Sequence, residues 1–304
     1  MPSLQAKLFG PVVRVIMKRK NWGPDEFALT RRTRRILGAP RISSLLAGKA
    51  VRVSNVDEEG VRGEWLEPKA GTGGSGVVLY VHGGGFVSCS PATHRPITAA
   101  MARATRLSVF AIDYRLAPEH RFPAGLDDVV AAYRWLRKKY PSEKIAVVGD
   151  SAGGGLTLSL CLRLRAAAES LPAAIVCFSP WTDLTGSGES VEANGGRDRM
   201  FYPKTVHDFA KAYINDESDL THPLASPVFA DLRSFPPALF HVGSTEILVD
   251  DARRIHENII AAGGRSELEV FDGVFHCWQM GAGLIPEADD SFRKAADFIL
   301  HHLK

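Results

Sequence analysis

The sequence predicts an α/β protein whose mostly parallel central sheet is flanked by helices. From residue 77 onward, short apolar segments that suit strands alternate with amphipathic segments of helical length. Alternation of this kind is typical of a parallel sheet covered on both faces. Two glycine-rich turns, His82-Gly-Gly-Gly-Phe86 and Gly149-Asp-Ser-Ala-Gly153, each directly follow one of the apolar strands. Glycine at such turns lets the backbone adopt strained conformations and approach a ligand closely.

Length and composition indicate an ordinary folded protein with one large domain or two smaller ones. The chain has 304 residues, of which 45% are hydrophobic and 23% are charged, a balance typical of globular domains. No apolar run approaches the about 20 residues that span a bilayer, and residues 1–20 lack a clean signal-peptide pattern, so we expect no stable membrane insertion. Four cysteines without a C-x-x-C spacing favour reduced thiols in a cytoplasmic protein over disulfides or a metal site; they are Cys89, Cys161, Cys177 and Cys277.

The net charge of +3 hides an asymmetry along the chain. Residues 1–50 carry a net charge of +9 and the remainder carries −6. A basic segment of this kind could contact phospholipid, nucleic acid or acidic partners. A solvated polar face on amphipathic helices is the simpler interpretation. The segment lacks a nucleic-acid-binding motif with interleaved aromatic residues, so we expect no nucleic-acid partner.

Hydrophobic periodicity predicts the order of strands and helices. The predicted strands are residues 51–56, 61–66, 77–81, 107–114, 144–149, 173–179, 238–242 and 267–271. The predicted helices are residues 9–20, 25–37, 126–140, 156–169, 203–214, 249–262 and 288–303.

One segment interrupts the alternation of strands and helices. Residues 183–236 contain a polar Gly/Ser-rich start, one predicted helix and a proline-marked run, but no convincing core strand. In an α/β sheet, such an insertion lies at the carboxyl ends of the strands, where active sites are built. We therefore expect a core made of residues 49–182 and 237–304. The helices of residues 1–48 and the insertion 183–236 are expected to form a helical cap over it.

The turn around Ser151 is the first candidate for chemistry. A short apolar strand, the pattern G-x-S-x-G and an apolar helix follow one another in residues 144–169. Strand, sharp turn and helix are the context in which this pattern marks a nucleophile elbow. A glycine-rich turn without catalytic function is the alternative, and the partners of a serine nucleophile decide between the two.

His276 is the candidate base. In α/β hydrolases the nucleophile, the acid and the histidine follow one another in that order along the chain. His276 comes after the strand 267–271 and a short loop, which would bring it to the carboxyl edge of the sheet. The other histidines downstream of Ser151 lie in the insertion, within a predicted strand, on a charged helix or in the tail; they are His207, His222, His241, His256, His301 and His302.

Glu246 is the candidate acid, with Asp250 as the alternative. Glu246 lies just beyond the end of the strand 238–242, where a carboxylate that orients the base belongs. Asp250 and Asp251 begin the next predicted helix, where acidic residues favour the helix dipole.

Together these motifs resemble the hormone-sensitive lipase family, the bacterial family IV esterases. The resemblance rests on the two glycine turns, on Asp113-Tyr-Arg-Leu-Ala-Pro-Glu119 and on the loop of His276, and it covers about residues 50–304. That family usually has Asp-Pro-Leu at the position of the acid. This chain has Glu246-Ile-Leu there and keeps the family's spacing of thirty residues to the histidine.

The resemblance implies an α/β-hydrolase fold and a serine carboxylesterase that cleaves short- to medium-chain acyl esters through an acyl-enzyme. Ser151 would attack the ester, His276 would take its proton and Glu246 would orient the imidazole. The expected oxyanion donors are the backbone N–H groups of Gly83, Gly84 and Ala152. The implied partner is a small-molecule ester, without a cofactor or a metal. Dimers formed through the final edge strand are common in the family, so a homodimer is one state open to this chain.

Aromatic residues are the candidate walls of an apolar acyl pocket, although aromatic residues are as often plain core. The candidates are Phe86, Trp181, Phe201, Phe209 and Phe275.

Two other interpretations stay open. The stretch of residues 179–190 resembles a branch that contains lactone hydrolases as well as short-chain esterases. Peptidases, amidases and lactonases share the fold, and substrate choice depends on the cap and the pocket walls. Non-catalytic hormone receptors of the same family lack the catalytic histidine, so Ser151 and His276 together argue against a receptor.

Overall fold

An eight-stranded sheet runs through the structure, a computed structural model that describes residues 1–18, 25–40 and 42–304. The strands are β1 (Val51–Glu58), β2 (Val61–Pro68), β3 (Val77–Val81), β4 (Ser108–Ile112), β5 (Ile145–Asp150), β6 (Ala174–Phe178), β7 (Ala238–Gly243) and β8 (Ser266–Phe271). Their order across the sheet is β1-β2-β4-β3-β5-β6-β7-β8. Strands β1, β2 and β4 pair antiparallel, and β4, β3 and β5 to β8 pair parallel, which confirms the mostly parallel sheet.

The register of the parallel strands brings their carboxyl ends to one edge. Val81 at the end of β3 lies beside Gly149 of β5. Asp150 at the end of β5 lies beside Phe178 at the end of β6. The loops that follow these strands therefore meet at one edge of the sheet, which is the usual place of a site in an α/β protein.

Helices cover both faces of the sheet. In the described part of the chain the helices are α1 (Leu4–Met17), α2 (Glu26–Leu37), α3 (Ile42–Lys49), α4 (Arg95–Thr105), α5 (Ala124–Lys139), α6 (Ala152–Ala166), α7 (Glu189–Ala193), α8 (Pro203–Tyr213), α9 (Val249–Ala261) and α10 (Pro286–His302). Helices α4 and α10 pack on one face, and α5, α6 and α9 pack on the other. Val78 and Tyr80 of β3 point into the first layer, and Leu79 and Val81 point into the second. Because both faces are buried, the strand is apolar throughout rather than alternating.

The eight predicted strands are all present, but the predicted helices are incomplete. Helix α1 begins at Leu4 because Ser3 caps it, with its side chain accepting a hydrogen bond from the Ala6 N–H. The predicted helix 9–20 therefore starts five residues too late, and its last two residues lie outside the described part of the chain. Helices α3, α4 and α7 were not predicted. Helix α4 follows a glycine-rich loop and a short 3₁₀ turn. The residues before it therefore show no apolar spacing that would mark where the helix begins.

The insertion of residues 183–236 contains α7, α8 and two 3₁₀ turns, and no strand of the sheet. This content is consistent with the expected cap. The domain boundaries themselves stay a prediction.

No helix in residues 1–18, 25–40 or 42–304 combines the length and the apolar character required to cross a bilayer.

The glycines that open α6 allow this helix to pack closely on the sheet. A Cβ at Gly153 would overlap the carbonyl oxygen of Val81, and one at Gly155 would overlap the carbonyl oxygen of Trp181. These neighbours are backbone atoms, which cannot turn away as a flexible side chain can. The glycine run is therefore explained by close approach of the helix to the ends of β3 and β6.

We expect Gly153→Ala to destabilise the fold, although alanine is the better helix former by about 1 kcal/mol. Overpacking against backbone should lower the free energy of unfolding by about 2 kcal/mol or more. Gly196→Ala is the matched control, because a Cβ at Gly196 meets no atom within 4 Å, and its effect should stay within about 1 kcal/mol. Urea unfolding of both variants provides the measurement, and equal effects would contradict the packing argument.

Candidate active site

Ser151 lies at a strained turn between β5 and α6. Its backbone has φ 51° and ψ −122°, a region that residues other than glycine rarely adopt and that costs about 1–3 kcal/mol. The surrounding backbone holds this conformation, since the Ser151 N–H donates to the Phe178 carbonyl and its own carbonyl accepts from the Trp181 N–H, both at 2.9 Å. The turn directs the Ser151 side chain into a cavity at the carboxyl edge of the sheet.

His276 and Glu246 form a hydrogen-bonded chain with Ser151. The Ser151 Oγ lies 2.9 Å from His276 Nε2, and His276 Nδ1 lies 2.7 Å from Glu246 Oε2. The second carboxylate oxygen of Glu246 accepts from the Gly243 N–H at 2.6 Å and from the Ser179 hydroxyl at 2.8 Å. All three side chains are buried. A hydroxyl, an imidazole and a carboxylate in this order can transfer a proton away from the serine.

Asp250, the alternative acid, lies elsewhere. It stands in the first turn of α9, where its carboxylate accepts from the Ser190 N–H at 2.8 Å and pairs with Arg253 at 3.2 Å. These contacts attach the insertion to α9 rather than orient the histidine.

Three carboxylates set the electrostatics of His276. Burial by itself lowers the pKa of the imidazole, because a charged ring loses its hydration. The charge and hydrogen bond of Glu246, with the charges of Asp198 and Asp150, act in the opposite direction and raise the pKa of His276 above its ordinary value. These carboxylates therefore stabilise the imidazolium that forms when His276 accepts a proton.

The structure contradicts one of the three expected oxyanion donors, and the other two stay predictions. Ala152 is the first residue of α6, and Gly84 lines the cavity. The expectation for Gly83 is wrong, because its N–H donates to Asp150 Oδ1 at 2.9 Å and is not available to a substrate. Gly85, which the sequence analysis omitted, lines the cavity next to Gly84. The N–H groups of Gly84 and Gly85 have no hydrogen-bond partner among the described residues.

The two glycines that line the cavity both have positive φ angles. Gly84 has φ 116° and Gly85 has φ 63°, which glycine adopts without the steric cost of a Cβ. A Cβ at Gly84 would overlap the carbonyl oxygen of Ser88. The second and third glycines of the motif are therefore required by backbone conformation, and the sequence alone does not distinguish them from the first.

The buried carboxylate of Asp150 holds the glycine loop through a hydrogen bond. Its carboxylate accepts from the Tyr80 hydroxyl at 2.5 Å and from the Gly83 N–H, and it faces His94 Nε2 at 3.3 Å. Burial raises the pKa of Asp150, but His94, Tyr80 and the Gly83 amide outweigh burial and hold the pKa at about 2. The side chain is thus a buried anion that fixes the loop relative to the Ser151 turn.

The cavity above Ser151 has a volume of about 310 Å³ and is mostly apolar. Four of the five expected aromatic residues line it: Trp181, Phe201, Phe209 and Phe275. Phe86 does not, which corrects that expectation. Its ring stacks on Tyr213 with the centroids 3.8 Å apart and packs against Trp181 at 5.3 Å. Phe86 therefore belongs to the core beneath the cavity wall.

Helix α1 forms a wall of the cavity that the sequence analysis did not assign. Phe9, Val13 and Met17 line the cavity. The Ser3 hydroxyl donates to Glu287 of α10 at 2.7 Å. At the other end, the Lys18 ammonium donates to two carbonyl oxygens of the insertion, both at 2.6 Å. The spacing of apolar residues predicts an amphipathic helix, but only these long-range contacts determine what its inner face covers.

Clusters of three or more His, Cys, Asp or Glu side chains able to hold a metal ion do not occur within the described residues.

Comparison with known proteins identifies the family. The sequence profile of the alpha/beta hydrolase fold family matches residues 78–280. An acetyl-hydrolase of Streptomyces hygroscopicus is 38% identical over 237 residues, which cover 78% of each chain. The chain belongs to the α/β-hydrolase family.

Solved structures narrow the family further. An esterase from the bacterial hormone-sensitive lipase family superimposes with a TM-score of 0.87 at 36% identity and 100% coverage of both chains. The esterase EstE5, from crystals soaked in p-nitrophenyl butyrate, gives a TM-score of 0.88 at 31% identity and 99% coverage of both. These similarities confirm the α/β-hydrolase fold and the resemblance to the hormone-sensitive lipase group. This α/β hydrolase is a carboxylic ester hydrolase.

The pKa of His276 should depend on Glu246 and not on Asp250. We expect NMR titration of the imidazole C–H signals to give a pKa above the ordinary value of about 6.5. Glu246→Gln removes the carboxylate charge, so burial dominates and the pKa of His276 should fall below the wild-type value. Asp250→Asn should leave it unchanged. The electrostatic assignment fails if Glu246→Gln leaves the His276 titration where it is, or if Asp250→Asn moves it equally.

Proposed function

We propose that this α/β hydrolase is a serine carboxylesterase that cleaves short- to medium-chain acyl esters through an acyl-enzyme. The observation that carries the proposal is the hydrogen-bonded chain of Ser151, His276 and Glu246 at the base of an apolar cavity. The names of the related proteins, acetyl-hydrolase and esterase, support the same class of reaction.

The first half of the reaction acylates the serine. Ser151 Oγ attacks the ester carbonyl carbon while its proton passes to His276 Nε2, and the carbonyl electrons move onto the oxygen. Glu246 accepts from His276 Nδ1–H and so keeps Nε2 free to receive the proton. The tetrahedral intermediate then collapses, and the alcohol departs with the proton from His276 Nε2. The second half repeats these steps with water, which releases the acid and restores Ser151.

Three backbone N–H groups stabilise the oxyanion in this proposal: those of Gly84, Gly85 and Ala152. Amides that already lack a protein partner need no rearrangement when the negative charge develops. One such donor is typically worth about 2.7–4 kcal/mol of barrier. Asp150 takes no part in proton transfer; it positions the glycine loop through the Gly83 N–H.

Residues 1–48 and the insertion 183–236 act together as a cap in this proposal. Phe9, Val13 and Met17 come from the first segment, and Phe201 and Phe209 come from the second, and all of them line one cavity. The cavity volume of about 310 Å³ lies at the small end of the about 300–1,000 Å³ usual for ligand sites. Both observations favour small esters with apolar acyl groups.

Hydrolysis of p-nitrophenyl acetate, butyrate, octanoate and palmitate tests the proposal. We expect the largest kcat/KM on one of the three shorter esters, and at least about a tenfold lower value on palmitate. Ser151→Ala should lose at least about a thousandfold in kcat. Ser54→Ala, an exposed serine on β1, is the matched control and should retain wild-type activity. Folded wild-type protein that cleaves lactones but none of these esters would contradict a carboxylesterase.

The pH profile tests the roles of His276 and Glu246. The base must be neutral to accept a proton, so activity should rise with pH through the pKa of His276. The midpoint of this rise, the acid limb of the profile, should lie above the ordinary histidine pKa of about 6.5. Glu246→Gln should lower kcat by about 10³-fold or more and move the remaining acid limb to lower pH. Asp250→Asn should change neither. The opposite pattern, with the loss in Asp250→Asn, would assign the acid to Asp250.

A further inference from the structure

The exposed apolar side chains of this hydrolase are concentrated near its amino terminus. The described residues expose twelve large hydrophobic side chains, and eight of them lie within residues 1–46. Two of the others, Met280 and Leu284, line the cavity. Four of the eight, Leu4, Leu8, Val12 and Val15, lie on one helix, α1. Exposed apolar residues that share one surface are typical of an interaction site, whereas single ones are ordinary.

Helix α1 carries apolar residues on two opposite faces. The inner face consists of Phe9, Val13 and Met17, which line the cavity. The outer face consists of Leu4, Leu8, Val12 and Val15, which expose between 54% and 78% of their surface. At about 100° per residue, the outer face covers a sector of about 80° that points away from the inner face. Packing on the rest of the chain explains the inner face only.

A basic edge borders the outer face. Lys7 and Arg14 occupy the neighbouring sector of about 20° on the same helix, and α1 contains no acidic residue. Lys7 and Arg14 are exposed. The edge also lies in the segment 1–50, whose net charge of +9 contrasts with −6 in the remainder of the chain. The surface is thus apolar at its centre and cationic along one border.

We propose that the outer face of α1 and its basic edge dock this hydrolase on an anionic lipid surface. Helices with an apolar face and Lys/Arg at its border lie in the interface plane of such membranes, apolar side down. Anionic headgroups supply the complementary charge and attract each nearby Lys or Arg. The helix is short and does not cross the bilayer; it rests at its surface.

A second copy of the chain fits the outer face of α1 less well than an anionic lipid surface does. Two-fold dimers bring the same patch of both subunits together. The basic edges and the +9 segments of both copies would then lie side by side without acidic partners on α1. Juxtaposed like charges oppose association, whereas an anionic lipid surface neutralises them.

Docking would place the cavity next to the lipid phase. The inner face of the docked helix is itself a wall of that cavity, so esters that partition into lipid would have a short path to Ser151. This consequence rests on the proposed esterase function. The docking itself does not, and it is tested by binding alone.

Co-sedimentation with vesicles tests the docking. The full chain is mixed with phosphatidylcholine vesicles that contain or lack phosphatidylglycerol. We expect binding to the anionic vesicles that weakens with added salt and little binding to the neutral ones. Leu8→Asp with Val12→Asp should weaken the partition coefficient by about 30-fold or more. Lys7→Gln with Arg14→Gln should weaken it by about 30-fold.

Ile260→Asp on α9 is the control for an added aspartate, because it places one such residue at an exposed apolar position of another helix, and it should bind like wild type. All variants should retain hydrolysis of p-nitrophenyl butyrate, which shows that they are folded; if wild type cleaves no ester, circular dichroism and urea unfolding serve instead. Equal binding to neutral and anionic vesicles, no binding at all, or an equal loss in Ile260→Asp would overturn the proposal. Wild-type dimers in size-exclusion chromatography that Leu8→Asp with Val12→Asp separates would also overturn it, in favour of a second copy.

Discussion

The buried carboxylate of Asp150 is the constraint on which the site depends. Burial alone would make an anion at this position costly, yet the Tyr80 hydroxyl, the Gly83 amide and His94 surround it and keep its pKa at about 2. These partners belong to β3, to the glycine loop and to the turn before α4. One side chain therefore fixes the loop that carries the candidate oxyanion donors relative to the Ser151 turn. Its backbone neighbour is Ser151 itself, so loop and nucleophile cannot move independently.

Much of this arrangement could be predicted from the sequence, because residues that directly follow parallel strands lie at the same edge of the sheet. Ser151 follows β5, and Glu246 and His276 follow β7 and β8. Order along the chain and position relative to a strand therefore favoured Glu246, with Asp250 as the alternative, and favoured His276 over six other histidines. In the structure these two side chains lie 2.7 Å apart, although the family's usual Asp-Pro-Leu is absent from this chain.

Features that depend on the conformation of a backbone amide or on the packing of a ring could not be predicted from the sequence. The sequence does not distinguish the three consecutive glycines, but the Gly83 N–H donates to Asp150, while Gly84 and Gly85 have positive φ angles and line the cavity. Phe86 follows them in the chain and yet stacks on Tyr213 in the core. Helix α4 has a start concealed by the same glycine loop. In each case a contact between residues far apart in the sequence decides between conformations that local propensity does not distinguish.

The apolar spacing of helix α1 predicts its secondary structure but not the role of each of its faces. The apolar spacing from residue 9 onward predicts a helix. The apolar residues of the observed helix form two sets, at 4, 8, 12 and 15 and at 9, 13 and 17, and spacing alone does not state which set faces the rest of the chain. The second set lines the cavity, and contacts of Ser3 and Lys18 hold both ends of the helix in place. The first set then remains in water at a free-energy cost that grows with the apolar area exposed. Packing within the chain does not explain this exposed set, whereas the proposed contact of the outer face of α1 with a lipid surface would remove it from water.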